Sequence, residues 1–120
     1  MLRENEKITL SGDEAINVLK EINLILISLH DMGSYYMDKD KREYEKETTR
    51  FIDEWKVTHR LSKIRGIISE KFNNELGNDD MDDLERAMER LKYWQKPGDN
   101  AEDIMGRGDR YIVPPIKNQE

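Results

Sequence analysis

Apolar residues recur at helical spacing in three stretches of the chain. In the first, Val18, Ile22, Ile25, Leu29 and Met32 form an i, i+3, i+4 stripe. Ser11-Gly12-Asp13-Glu14 opens it. Ser11 can accept from the amide three residues on and Glu14 can reach back to the Ser11 amide, a capping box, with Leu10 placed as its hydrophobic staple. A helix is expected from Ser11 to about Met32, with Gly33 as the residue just past its end. Leu19, Leu24, Leu26 and Ile27 make its second half apolar nearly all round, the pattern of a helix central to its bundle or set in an oligomer interface. The run from Ile22 to Leu29 would also suit a buried strand, but the cap and the length favour helix.

The longest periodic stretch covers about residues 40–75. It lacks proline, and Gly66 is its one glycine. As a single helix it would span about 50 Å at about 1.5 Å per residue. Asp40 with Glu43 is a second candidate capping box. Two apolar sections follow: Tyr44, Thr48, Phe51, Ile52 and Trp55, then Val57, Leu61, Ile64, Ile68 and Phe72. The stripe shifts sideways between them, near Trp55–Val57, which implies a bend or a change of packing partner. Glycine costs about 1 kcal/mol against alanine inside a helix, so Gly66 is read as a close approach by a neighbour. Gly77 ends this stretch, and Asn78-Asp79-Asp80 opens a third helix whose buried face is Met81, Leu84, Met88 and Leu91. Acids crowd its first turn, Arg90, Lys92 and Lys96 lie near its end, and Pro97-Gly98 closes it. Residues 99–120 read as an extended tail in which Tyr111, Ile112, Val113 and Ile116 could dock. The expected fold is therefore all-α: a small three-helix bundle over 1–98 with one long central helix, followed by a C-terminal tail over 99–120. Ile25 and Ile64, each in mid-stripe, are expected in the core.

Composition narrows the class. Charged residues, at 38%, outnumber apolar ones, at 36%; the clustering of the apolar residues, rather than their number, argues for a folded domain. A formal charge of -6 leaves no global basic footprint for nucleic acid or an anionic membrane. The absence of cysteine excludes a disulfide framework, thiol catalysis and Cys-ligated zinc, and fits a reducing compartment. The N-terminal stretch shows no signal-peptide core, and no apolar run approaches the ~20 residues of a spanning helix. A soluble, cytoplasmic protein is expected.

Candidate chemistry is sparse. Carboxylate pairs at i, i+3 (Asp40/Glu43 and Asp82/Glu85) could in principle hold magnesium, but both sit at helix starts, where capping accounts for them. The acids Asp79, Asp80, Asp82, Asp83 and Glu85 do not set a glycine where a calcium loop needs one. His30 and His59 lack a metal-ligating companion at helical spacing. There is no phosphate-binding glycine loop and no nucleophile elbow. Arg107-Gly108-Asp109 is read as a chance tripeptide. No cofactor, metal or small-molecule substrate is expected, and the chain is not expected to be an enzyme.

Two features remain. Lys56, Arg60 and Lys63 share a helical face that could meet phosphate or an acidic partner, although a solvated face is the plainer reading. Aromatics stand out: Tyr35, Tyr36 and Tyr44 near one end of the long helix, Phe51 and Trp55 toward its middle, Tyr93 and Trp94 at the end of the third, Tyr111 in the tail. They are core material first and interface anchors second. The candidate partner-binding set is thus Tyr44, Phe51, Trp55, Lys56, Arg60, Lys63, Tyr93, Trp94 and Tyr111. The expected function is a non-enzymatic, acidic, helical protein-binding module of inhibitor, immunity, adaptor or anti-defence type, acting by occupying a partner's surface. The partner is another protein or a second copy, which would bury Phe51 and Trp55. The alternative is a nucleic-acid-linked regulator using the basic face or acidic mimicry of DNA.

Overall fold

A computed structural model describes residues 1–98, and the tail expected over 99–120, including Tyr111, lies outside the described residues. The described chain is all helical, with four α-helices and one 3-10 turn. It divides into two compact units, one formed by Leu10–Ile68 and the other by Met1–Thr9 together with residues 69–98.

The first unit is a small bundle of three helices: α1 (Gly12–Tyr35), α2 (Lys41–Glu54) and α3 (Val57–Ser69). α1 begins as expected. The Glu14 amide donates to Ser11 Oγ at 3.0 Å, and the Ser11 amide donates to Glu14 Oε1 at 2.9 Å. Its end differs. Gly33 does not stop it; the helix runs on to Tyr35 and closes when the Tyr36 amide donates to Met32 O. Lys39 then substitutes for a glycine cap. Its Nζ donates to the otherwise orphaned Tyr35 carbonyl at 2.9 Å and lies 4.1 Å from the Tyr35 ring centre. Asp40 caps α2 by accepting from the Arg42 amide at 2.9 Å, and the capping box expected with Glu43 does not form.

The long helix expected over 40–75 is two helices. The break falls at Trp55–Lys56, where Lys56 adopts φ 54, a left-handed conformation that costs a non-glycine residue about 1–2 kcal/mol. The offset between the two apolar sections explains the expense. A straight helix could not turn both Phe51 and Val57 inward, whereas the break lets both be buried. Arg60 repairs the cut end, its Nε donating to the Trp55 carbonyl at 2.7 Å. Gly66 sits in open space, with nothing within 4 Å of where a Cβ would stand, so the close approach expected there does not occur.

The core of this unit is thin. Val18 of α1, Phe51 of α2, and Val57 and Ile64 of α3 are its buried apolar side chains. Ile64 is where the periodicity placed it; Ile25 is half-buried.

The second unit is held by polar groups. The 3-10 turn Arg3–Asn5 delivers Asn5, 4% exposed, to its centre. Asn5 Nδ2 donates to the Asn73 carbonyl at 3.0 Å and to Asp83 Oδ2 at 2.7 Å, while Asn5 Oδ1 accepts from the Asn73 amide at 2.8 Å. With both backbone groups of Asn73 taken by one side chain, the helix expected to reach residue 75 stops at Ser69. The third helix expected over 78–96 is the six-residue α4 (Asp83–Met88). Asp82 and Glu85 make its capping box. Beyond Met88 the side chain of Leu91 is exposed, so no burial offsets the entropy of further helix.

Candidate interaction surface

α1 carries two parallel seams one residue out of step, each at the 4-3 spacing of a packed helix pair. The inner seam is Glu14, Val18, Glu21, Ile25, Ser28 and Met32, all buried or half-buried. The outer seam is Ala15, Leu19, Ile22, Leu26, Leu29 and Gly33. Its four large residues are exposed: Leu19 by 56%, Ile22 by 39%, Leu26 by 61% and Leu29 by 40%. Ile16 and Ile27 extend the bare surface round the helix. The polarity is inverted relative to a self-sufficient bundle, because the seam turned inward holds two glutamates and a serine while the seam turned outward holds no polar side chain. Contiguous apolar surface of this extent is uncommon on monomers and marks interaction sites.

Of the inner seam's polar residues, Glu14 belongs to the capping box with Ser11 and Glu21 to an ion-pair cluster. Glu21, its side chain 14% exposed, accepts from Arg60 Nη1 at 2.9 Å and pairs with Lys63 Nζ at 3.5 Å. The Arg60 hydrogen bond holds the Glu21 carboxyl below the usual carboxylate range; part-burial opposes this, and the charges of Arg60 and Lys63 add to it. Arg60 thus ties α3 to α1 while capping α2.

The nine candidate partner-binding residues are not gathered into one face. Phe51 is 5% exposed and belongs to the core, so the patch expected around it is bare only at Ile52 and Trp55. Trp55, 51% exposed, lies beside it with ring centres 5.8 Å apart. Tyr44 is exposed at the start of α2, 6.1 Å from the Tyr36 ring. Lys56 is the left-handed residue of the break. Arg60 and Lys63 turn to Glu21, which takes two cations from the expected basic face. Tyr93 is half-buried and Trp94 exposed in the second unit.

In that unit the acidic cluster is likewise engaged. Arg86 grips Asp79 with both arms of its guanidinium, Nε to Oδ2 and Nη2 to Oδ1 at 2.8 Å each, and donates from Nη1 to Asp83 Oδ1 at 2.9 Å. The guanidinium lies against Gly77, where a Cβ would stand 2.7 Å from Nη2. Hydrogen bonds from Arg86 hold the Asp79 carboxyl well below its ordinary range; those from Asn5 and the Leu2 amide lower that of Asp83. Among the described residues no group of three or more metal-ligating side chains converges, and no helix is long and apolar enough to cross a membrane.

The outer seam is the feature that reading by residue missed. The sequence shows the second half of α1 apolar nearly all round, but the stripe taken from the helix (Val18, Ile22, Ile25, Leu29, Met32) mixes the two seams. Separating them requires noticing that the polar residues Glu14, Glu21 and Ser28 keep a 4-3 register of their own. Comparison with protein families, curated proteins and solved structures finds no match to the chain.

Proposed function

We propose that the protein is a non-enzymatic, protein-binding module whose working surface is the outer seam of α1. It acts by occupying the surface of another polypeptide, the mode shared by inhibitors, immunity proteins and adaptors. One observation carries this: the most apolar face of α1 is the one its own bundle leaves uncovered, while the half-buried Glu21 faces inward. A helix face of this kind is read by a partner helix or groove through anchors at i, i+3, i+4 and i+7. The cytoplasm is the compartment we assign it, on the chain's lack of cysteine. The nucleic-acid alternative is weakened by the engagement of Arg60 and Lys63 with Glu21.

Site-specific photo-crosslinking tests the proposal. A crosslinker at Leu26 should yield a discrete polypeptide adduct in the native host or with the chain itself, and one at exposed Asp13 should not. Failure of positions 19 and 26 to join any polypeptide in either setting would overturn it.

A further inference from the structure

We propose that the outer seam of α1 is a self-association surface, occupied by the same seam of a second copy lying antiparallel across a two-fold axis near Leu24. The inference rests on the reading of that seam as a binding face and names what fills it.

The seam is its own complement. About position 24, Ile22 falls opposite Leu26, Leu19 opposite Leu29, and Ala15 opposite Gly33. Large residues therefore meet large ones in the middle, and small residues meet small ones at both ends, where helix backbones can approach closely. A two-fold interface demands this reciprocity, residue i against j and j against i. Antiparallel pairing also opposes the two helix dipoles.

Charge permits the approach. The chain carries -6 overall, so two copies repel unless their meeting face is free of acid. Between Leu19 and Leu29 the charged residues are Lys20 and Glu21, and Glu21 is turned to Arg60 and Lys63 within its own unit. On the rim, Asn23 comes near its own symmetry mate and Ile16 lies across from His30. No like-charged pair is forced together.

The area suffices. The exposed fractions of Ile16, Leu19, Ile22, Leu26 and Leu29 amount to about two and a half whole aliphatic side chains, roughly 400 Å² of apolar surface per copy. With a polar rim added, this approaches the ~800 Å² per partner of a standard interface. The seam is roughly 27 Å long, five helical turns.

The cysteine-free chain makes the geometry testable in full-length protein. Sedimentation equilibrium should give twice the 14.3 kDa chain mass, and Leu26→Glu should weaken association by about 100-fold or more, because it buries an unpaired charge. Circular dichroism should show helix retained in that variant, since Leu26 is exposed within its own unit. Under mild oxidation, an equimolar mixture of Ile22→Cys and Leu26→Cys chains should form the mixed disulfide in preference to either self-disulfide. Preferred Leu26→Cys self-disulfide would mean parallel packing and overturn the proposal. A monomer at all concentrations, with the crosslinker at position 26 joined to a different host protein, would overturn self-association yet leave the protein-binding reading standing. A monomer with that crosslinker joined to residues 99–120 would overturn both.

Discussion

The two units of this chain spend their side chains in opposite ways. Residues 10–68 bury Val18, Phe51, Val57 and Ile64 while leaving Leu19, Leu26 and Leu29 in water. Residues 1–9 and 69–98 are held by Asn5, Asp79, Asp83 and Arg86, in a network whose members are hydrogen-bonded to one another. No buried side-chain polar atom among the described residues lacks a partner. The second unit satisfies its polar groups internally and leaves Leu76, Leu91 and Trp94 exposed outside any helix, whereas the first exposes Leu19, Ile22, Leu26 and Leu29 along one seam of a single helix. The function we propose rests on that difference: apolar surface not used in folding is available for association.

Substitutions sharpen the contrast. The largest expected effect is Phe51→Ala, which removes the biggest buried ring of a thin core and should cost about 3–5 kcal/mol, read as loss of amide protection over α1, α2 and α3. Asn5→Ala comes next. It deprives both backbone groups of Asn73 of their partner and removes one of the two donors to Asp83 Oδ2, leaving the Leu2 amide, and should cost about 2 kcal/mol, read as faster exchange over residues 69–88. A denaturation midpoint unchanged in either variant would mean that the corresponding unit is held by something else. Lys56→Gly works in the other direction. Relief of the left-handed φ should stabilise the helical unit by up to about 1 kcal/mol in urea titration; a loss would show that the Lys56 side chain matters more than its backbone.

Moderate acid should do least. Glu21, Asp79 and Asp83 all have folded pKa values below their unfolded ones. Their stabilisation is present above the unfolded carboxylate range and lost only as pH falls through the depressed folded values. The melting temperature should hold between pH 7 and about 5 and decline in stronger acid. A decline already complete by about pH 5 would contradict these assignments.

What was legible in the sequence was local or periodic. Ser11 and Glu14 are three residues apart, and their capping box formed as read. The sideways shift of the stripe near Trp55 located the break, but nothing marked it as a full interruption, because the left-handed residue is a lysine rather than a glycine. Gly33 and Gly66, which did look like punctuation, are accommodated inside helices whose packing does not depend on them. Asn5 could not be found, since its partners lie 68 and 78 positions away and a lone polar residue carries no period. The acids around Asp82 were recognised as a helix start; their grip on Arg86 was not. For the interaction surface, the all-round apolarity of α1 was visible, but which side the bundle would cover depends on where α2 and α3 lie. The bare patch was expected at Phe51 and Trp55, and of these two Trp55 is exposed while Phe51 is buried.

The claim that the outer seam of α1 is covered when the protein works is tested most directly by the reactivity of a single thiol at position 26. In Leu26→Cys, maleimide labelling should be fast in dilute protein and slow at least 10-fold, on the order of the protection a stable interface gives, as the chain is concentrated or host extract is added. Asp13→Cys, at an exposed polar position of the same helix, should label at one rate throughout. Equal, undiminished labelling of position 26 under every condition would show that the seam stays in water and would contradict the account.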